Sequence, residues 1–460
     1  MSEVSRVEPI VPTSGMLIRQ DTILRPGVYF LPDGLTIGAS GITLDGNGAL
    51  LVGDHRRGAG IRIDGHCDVT IRNLRIREYT HGIAARQCRR LTIASNQITS
   101  TAEISANSIF LDIFTPVEQA YGGGILLERV EESRIHDNDL QHQMCGLLTY
   151  FCCKLDVRRN NASYCSGFGF HLFSTCDSTF EENWADYCNR YEPRDPGGPK
   201  VGAGAVGHIG ADATGFLIVC RSCNNVFRRN AARCGGDGVF LAGMYRYNEP
   251  AGCDNNLFEE NDCSLSPNNA FEATFGRGNI FRNNWADRSN YGFWLGYSVD
   301  NVLEGNRMLL NRQAGIAAEH AVGFQIRDND FQGNGHGVLL WTQYHKEFYE
   351  LLPQQRSVRD CLIERNKFYR NGTAIAILAE RDHGIRPTSA EAARPELRPR
   401  GHVIRDNDIQ DNRVGIHLAG ADGTVIERNK INRNVEADLR RDDDRDTQLG
   451  HNLGLRGAYL

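Results

Sequence analysis

A short apolar stretch, in which inward and outward positions alternate, recurs along most of the chain. Each copy follows a glycine or an alanine, its first residue is apolar throughout, and several intervals between copies are 22 or 23 residues. Alternation of this kind is typical of β-strands, so the pattern predicts one strand in every unit of about 22 residues. The residues that open the copies are Gly60, Gly82, Gly124, Gly146, Gly169, Gly215, Gly238, Ala270, Gly292, Gly315, Gly337, Ala374 and Gly415.

An asparagine at the end of a second short strand keeps the same register. In the segments RIHDND, FQIRDND and TVIERN it lies 14 residues after the glycine of its unit. A unit of this length is too short for a pair of helices and has no leucine-rich consensus, but it fits a coil of two or three short parallel strands. Asparagines at one turn of successive coils predict a ladder of hydrogen-bonded side-chain amides, which is a structural role. The same spacing holds for Asn96, Asn160, Asn183, Asn284 and Asn306.

These repeats correspond to a known architecture. With its opening segment GITLDGNGALLVGD at Gly41 to Asp54, the chain resembles the pectin-lyase-like superfamily of right-handed parallel β-helices, and within it the sugar-hydrolase-type β-helix repeats. The resemblance implies an all-β solenoid, although a pectate lyase signature such as WIDH is absent. We expect an N-terminal cap at 1–33, the β-helix at 34–434 and a C-terminal cap or tail at 435–460. Because the superfamily includes hydrolases, lyases, epimerases, transferases and non-catalytic members, the resemblance leaves the reaction open.

Strand alternation assigns the first and third residues after each glycine to the core, and the second and fourth to the outer face. The spacing between the two signatures lengthens sharply at five places, on both edges of that face. Long loops in a regular solenoid are commonly functional, so we expect a groove centred on the coils from Gly238 to Gly337. The lengthened intervals are Asn96 to Gly124, Asn183 to Gly215, Gly238 to Asn261, Gly337 to Asn366 and Ala374 to Asn407.

Aromatic residues at outer positions suit a carbohydrate partner, since the C–H faces of a sugar stack on aromatic rings. The alternative is that they are scattered surface aromatics without a common role. The candidate binding residues of this kind are Tyr150, Phe240, Trp294 and Trp341. The histidines that reach the same face, or enter it from loops, are His171, His208, His336 and His345.

Three carboxylates are the candidate catalytic residues. Glu272 occupies an outer position where most coils carry an apolar residue, Glu319 lies two coils further on, and Asp237 lies in the turn one coil before Glu272. Two coils of about 4.8 Å give an axial offset of roughly 10 Å, which fits the acid pair of an inverting glycosidase and, with inward lean, that of a retaining one. Trp294 lies between the two glutamate coils, where it would desolvate one of them and favour a general acid. For each carboxylate the alternative is a solvated surface group or a salt bridge.

Three functions therefore stay open. The first is a glycoside hydrolase, or a related glycosyl-transferring enzyme, that uses a pair of carboxylates. The second is a polysaccharide lyase or epimerase that takes its base from the loop at Tyr344 to Lys346, although the outer positions of the middle coils offer no Lys or Arg to neutralise a uronate. The third is a non-catalytic solenoid that binds carbohydrate.

Composition narrows the partners. With a net charge of −6, the chain lacks the excess of basic residues that is typical of proteins that bind nucleic acid or an anionic membrane. Without an apolar leader or a long apolar run, the chain as it stands suggests the cytoplasm, or a secreted or periplasmic protein if a signal peptide has been removed. The fourteen cysteines follow no paired spacing, and Cys220-x-x-Cys223 lacks a second pair for zinc, so we expect no metal or other cofactor. Trimers among relatives leave a homo-oligomer open.

Overall fold

The computed structural model describes residues 8–105, 108, 110–191, 209–210, 213–246, 248–379 and 397–455. The chain forms two compact units, residues 1–236 and residues 237–460. Within each unit the chain winds through successive coils, and the equivalent strands of neighbouring coils pair in parallel. The fold is thus an all-β solenoid, as the 22-residue pattern predicts.

Parallel strands of the first unit form three sheets. Those of the first sheet, which contain or closely follow the recurrent glycine in the regular coils, are Met16–Ile18, Leu35–Ile37, Ala59–Asp64, His81–Arg86, Gly123–Glu128, Cys145–Tyr150, Phe170–Phe173 and Thr214–Val219. Those of the second sheet are Thr22–Ile23, Thr43–Asp45, Thr70–Arg72, Thr92–Ala94, Arg134–His136, Asp156–Arg158, Thr179–Glu181 and Val226–Arg228. The third sheet holds Val28–Phe30, Leu50–Val52, Arg75–Arg77 and Gln97–Thr99. A 3-10 helix at Val117–Gln119 and an antiparallel pair, Arg190–Tyr191 with Ile209–Gly210, lie outside these sheets.

Strands of the second unit follow the same plan. The first sheet holds Asp237–Ala242, Asn269–Thr274, Tyr291–Trp294, Ala314–Glu319, His336–Thr342, Thr373–Ala379, Val414–Ala419 and Ala437–Asp442. The second sheet holds Leu257–Glu259, Ile280–Arg282, Val302–Glu304, Gln325–Arg327, Leu362–Glu364, Val403–Arg405, Val425–Glu427 and Gln448–Leu449. The third sheet holds Arg307–Leu309, Asp330–Gln332, Lys367–Tyr369, Asp408–Gln410 and Lys430–Asn432. An antiparallel pair, Met244–Tyr245 with Glu249–Pro250, an α-helix at Lys346–Leu351 and a 3-10 helix at Pro353–Gln355 lie in the longer connections.

Inward side chains of successive coils stack on one another to form the core. In the first unit Leu147 pairs in register with Phe170, and Phe170 pairs with Phe216. In the second unit the rings of Phe271 and Phe293 stack with centroids 4.8 Å apart. All five side chains are buried, which confirms the inward assignment of the first position after the glycine. Burying a side chain of this size contributes roughly 1.5–3 kcal/mol to stability.

The outer positions of the first sheet are more covered than alternation predicts. Tyr150, Leu217 and Trp341 are at most 1% exposed. The Tyr150 hydroxyl donates to the carbonyl of Thr115 in one of the long connections (3.2 Å), and Trp341 packs against Trp294 on the same face of the second unit. The outward direction of Tyr150 and Trp341 thus agrees with the alternation, but a long connection or a neighbouring outer side chain packs over each of them.

The predicted asparagine ladder is confirmed. After the first ladder residue of each unit, an asparagine Oδ1 accepts both the backbone N–H and the Nδ2–H of the equivalent asparagine in the coil before, as Asn306 does from Asn284 at 2.9 and 3.0 Å. The residue before each one except Asn452 has a left-handed φ, for example 57° at Asp137 and at Asp328, so the side chain supplies the acceptor where the turn interrupts the strand ladder. The ladder residues are Asn96, Asn138, Asn160, Asn183 and Asn230 in the first unit and Asn261, Asn284, Asn306, Asn329, Asn366, Asn407, Asn429 and Asn452 in the second.

Coil strands extend into both segments that the sequence suggests as caps. Met16–Ile18, inside 1–33, pairs in parallel with Leu35–Ile37. At the other end Ala437–Asp442, inside 435–460, pairs in parallel with Val414–Ala419. The regular strand pattern is thus longer than the 34–434 range assigned to it.

No helix in the described part of the chain combines the length and apolar character that a membrane span requires. The α-helix Lys346–Leu351 has six residues. The cysteines of the described residues are thiols, and most of them are buried.

Replacing Asn306 by alanine is expected to lower the free energy of unfolding by about 2–3 kcal/mol. The substitution removes the acceptor for two buried N–H groups of Asn284 and leaves the Phe281 carbonyl without the Asn306 Nδ2 donor. Urea unfolding followed by circular dichroism measures the change. Asn452→Ala, at the partly exposed end of the ladder, is the control and should cost less than about 1 kcal/mol; equal losses in the two variants would contradict the ladder as a source of stability.

Acid is expected to destabilise the protein through His402. Burial lowers the pKa of this histidine to about 4, and its Nδ1 accepts the backbone N–H of Cys361. The unfolded chain has an ordinary histidine pKa near 6.5, so it binds the proton first as the pH falls. His402 therefore does not reduce the free energy of unfolding above about pH 6.5. Between pH 6.5 and pH 4 it lowers this free energy by about 1.4 kcal/mol per pH unit.

The variant His402→Asn keeps an acceptor near the Nδ1 position but does not titrate. Urea unfolding at pH 7 and at pH 5 measures the free energy of unfolding at each pH. The difference between these two free energies should be about 2 kcal/mol smaller in this variant than in the parent. The exposed His55→Asn is the matched control and should leave the pH dependence unchanged. An undiminished pH dependence in His402→Asn would rule His402 out as its source.

Candidate functional site

A cavity of about 400 Å³ lies on the outer face of the first sheet in the second unit. Its walls come from the strands Asn269–Thr274, Tyr291–Trp294 and Ala314–Glu319 and the turns that follow them. Glu272 pairs in register with Trp294, and Trp294 pairs with Ala317, so the two-coil offset brings Glu272 and Glu319 to one opening. The lining residues are Asn268, Asn269, Glu272, Thr274, Phe275, Asn290, Tyr291, Trp294, Gly296, Tyr297, Gln313 and Glu319.

Small residues make room for this cavity. Gly296 lies next to Glu319 in the neighbouring coil, where a Cβ would come 3.8 Å from the Cβ of Glu319. Ala317 occupies the outer position beside Trp294. A larger side chain at Gly296 would project towards Glu319 and reduce the space of the cavity.

Glu319 is held by two donors. Its Oε1 accepts a hydrogen bond from the Tyr297 hydroxyl at 3.2 Å and lies 2.9 Å from Nε2 of His345. With Glu319 ionised, Nε2 of His345 carries the hydrogen of this contact. The two bonds then offset the desolvation of the carboxylate, whose side chain is 3% exposed.

The long connection between Gly337 and Asn366 supplies His345, which contacts Glu319. His345 precedes the helix Lys346–Leu351, and Phe348 on that helix packs against Phe275 and Tyr297, with ring centroids 5.3 and 4.9 Å apart. The long insertion thus supplies a hydrogen-bond donor to Glu319 and an aromatic wall beside the cavity.

His320 fixes the orientation of Tyr297. The two rings stack with centroids 4.7 Å apart, and burial lowers the pKa of His320 below its usual value. A neutral imidazole in this place packs on the tyrosine ring while the tyrosine hydroxyl points to Glu319.

A relay of hydrogen bonds positions Glu272. Nδ2 of Asn269 donates to Oε2 of Glu272 at 2.7 Å, and the backbone N–H of Asn269 donates to Oδ1 of Asp237 at 2.7 Å. Asp237 thus fixes the start of the strand whose side chains hold the glutamate. Glu272 itself is half-buried and keeps one side towards the cavity.

Several predicted site residues do not reach the cavity. Asp237 is 0% exposed and does not line it, because its carboxylate accepts a backbone N–H in the neighbouring coil. Phe240 and Trp341 are buried on the outer face, and Trp341 supports Trp294 from behind. His336 is half-buried, with Nδ1 3.2 Å from the carbonyl of the cavity residue Gln313, so it contacts the wall from outside.

The remaining candidates lie in the first unit or outside the described residues. Tyr150 and His171 pack against each other, with ring centroids 5.2 Å apart, and both are buried. Burial lowers the pKa of His171 to about 3, so this imidazole is neutral at ordinary pH. His208 lies outside the described residues.

Sequence reasoning misses Tyr297, His320 and Asn269. Tyr297 has a left-handed φ of 55° in the turn after its strand, where strand alternation no longer assigns a direction to the side chain. Asn269 precedes Ala270, which replaces the recurrent glycine. This local departure from the repeat is the sequence feature that marks Asn269.

The charged groups of the cavity are acidic. Among the described residues that line it there is no Lys or Arg. Among all the residues that the structure describes, no group of three or more His, Cys, Asp or Glu side chains has a geometry that would hold a metal ion. The chemistry of the described cavity therefore rests on its two carboxylates, its amides and its aromatic rings.

The fold and this repeat pattern define a β-helix protein, and a family model agrees. The model described as "Right handed beta helix region" matches residues 59–250 and 240–350, so the chain belongs to that family. No curated protein sequence matches the chain.

The solved structures to which this chain is similar include the following three. The mannuronan C-5 epimerase AlgE6 A-module of Azotobacter vinelandii is 13% identical, over 94% of this chain and 91% of that chain, with a TM-score of 0.40. The periplasmic alginate epimerase AlgG is 12% identical, over 96% and 85%, with a TM-score of 0.41. DFA-IIIase from Arthrobacter chlorophenolicus A6, in complex with GF2, is 11% identical, over 65% and 69%, with a TM-score of 0.40.

Proposed function

We propose that the protein is a glycoside hydrolase that cleaves an uncharged oligosaccharide or glycoside between Glu272 and Glu319. The observation that carries the proposal is that two glutamates from different coils line one cavity beside Trp294. Glycoside hydrolysis needs a carboxylic acid to protonate the leaving oxygen and a carboxylate on the other side of the sugar.

The two glutamates have different surroundings. Glu319 accepts from Tyr297 and lies against Nε2 of His345, which favours its ionised form and suits a nucleophile or general base. Glu272 accepts a hydrogen bond from Asn269 and is paired in register with Trp294, and in this proposal it is the general acid. Two carboxyls with unlike environments divide the acid and base roles between them.

The walls of the cavity suit a neutral sugar. Trp294 and Tyr291, with ring centroids 4.8 Å apart, offer an aromatic surface for the C–H face of a sugar ring. Asn268, Asn290 and Gln313 offer amide donors and acceptors for hydroxyl groups. A uronate would bring a third carboxylate to a lining with two glutamates and no cation among its described residues, which disfavours a lyase or epimerase acting on uronates.

Replacing either glutamate is expected to abolish turnover. On a panel of aryl glycosides and unlabelled oligosaccharides, the parent should release aglycone or new reducing ends, and Glu272→Gln and Glu319→Gln should each lower kcat by roughly 10²–10⁴-fold. The exposed Glu436→Gln, which alters an ion pair with Arg413 far along the chain, is the matched control and should keep full activity. Proton NMR of the first anomer released then separates a nucleophilic from a basic role for Glu319.

Other results would refute this proposal. Full activity in Glu272→Gln would exclude the assigned acid. Products that carry the absorbance of an unsaturated uronate would indicate elimination, and sugar binding without turnover across the panel would indicate a non-catalytic solenoid.

Asp237 is expected to act by positioning. Asp237→Asn keeps an oxygen that accepts the N–H of Asn269, so it should retain kcat within about threefold, whereas Asp237→Ala removes that acceptor and should lower kcat by tenfold or more. A catalytic acid at this position would instead lose activity in both variants. Comparison of kcat for the two variants on the same glycoside distinguishes the roles, with circular dichroism as the check on folding.

A further inference from the structure

Three cysteines of the first unit lie at the same corner of successive coils. Cys153 and Cys176 form a parallel β-bridge with each other, and Cys223 occupies the equivalent corner of the next coil. All three are partly exposed, unlike the cysteines of the core. None of them lines the cavity of the second unit.

One inserted residue changes the hydrogen bonding at the third of these corners. Two residues separate the strand Phe170–Phe173 from Cys176, but three separate Thr214–Val219 from Cys223. In the two preceding coils the corner N–H goes to a carbonyl, from Cys153 to Val130 and from Cys176 to Cys152. The N–H of Cys223 instead donates to the sulfur of Cys176, at 3.3 Å.

This arrangement stabilises a thiolate at Cys176. The Cys223 side chain donates a hydrogen bond that lowers the pKa of Cys176 to about 6, an effect that burial and the charge of Asp177 oppose. As a neutral thiol, Cys176 donates to the carbonyl of Arg221 at 3.2 Å. Cys153 differs, because burial and the nearby Glu131 raise the pKa of its thiol.

We propose that Cys176 is a site of thiol–disulfide exchange that reacts with a low-molecular-weight disulfide, and that Cys223 resolves the product. The Cys176 thiolate attacks one sulfur of the small disulfide, forming a mixed disulfide and releasing one small thiolate. The Cys223 thiolate then attacks the Cys176 sulfur, forming the Cys176–Cys223 disulfide and releasing the second small thiolate. The two cysteines lose two electrons, the small disulfide gains them, and the two cysteine protons go to the released thiols.

The coil geometry permits the protein disulfide. Strands of neighbouring coils lie about 4.8 Å apart, within the span of Cα separations that disulfides bridge. The strands that precede the two cysteines pair in register through Phe173 and Val219. The backbone N–H of Cys223 already contacts the Cys176 sulfur, so the two cysteines are direct neighbours in the folded solenoid.

Competitive labelling with iodoacetamide at pH 6, read by peptide mass spectrometry, tests the first step. Cys176 in the intact protein should react roughly tenfold faster than Cys153, since its larger thiolate fraction outweighs the lower nucleophilicity of a less basic thiolate. Cys223→Ala should remove this advantage, whereas Cys223→Ser, which keeps a hydroxyl donor, should preserve much of it. Equal rates for Cys176 and Cys153 in the parent would overturn the assignment.

Oxidised glutathione tests the second step. Treated parent protein should lose two hydrogens and yield a linked pair of peptides that contain Cys176 and Cys223. Cys223→Ser should stop at the mixed disulfide on Cys176, and the matched control Cys67→Ser should behave as the parent does. A mixed disulfide that persists in the parent, or no reaction at Cys176, would refute the proposal, and neither result depends on the glycosidase assay.

Discussion

The backbone ladder between neighbouring coils is the constraint on which the rest of the structure depends. Each coil must keep its strands in register with the strands of the coil before. Residues are therefore inserted in the connections between strands and not within them. The asparagine ladder enforces this at the turn after the second-sheet strands, because the Oδ1 atoms of Asn306 and Asn329 each satisfy two N–H groups of the adjacent coil. One consequence is a fixed lattice of outer positions, and the residues of the cavity occupy that lattice.

The features predicted from the sequence are those that repeat. The period, the inward residues and the asparagine ladder follow from local spacing, which is the same in every coil. Register also places Glu272 and Glu319 two coils apart on one face, where the structure shows a shared cavity. The burial of Trp341, the left-handed turn that carries Tyr297 and the relay from Asp237 to Glu272 were beyond that reasoning, since they depend on packing and turn geometry specific to single coils.

The cavity arises from a few local departures of the sequence from its repeat. A glutamate replaces an apolar outer residue at Glu272, a glycine leaves space at Gly296, and an insertion brings His345 to Glu319. Each departure is local, and the strands on either side keep their parallel register. The corner at Cys223 follows the same principle, since one extra residue redirects a single N–H from a carbonyl to a sulfur.

The helix that carries Phe348 has a consequence for how such a protein diversifies. It belongs to a connection that begins and ends on regular strands, at His336–Thr342 and Leu362–Glu364. This segment can therefore be exchanged or lengthened, replacing one wall of the cavity, while the strands on both sides keep their parallel pairing, because strand pairing does not depend on the length of the connection. In this architecture the lining of the cavity can vary while the paired strands of the solenoid stay the same.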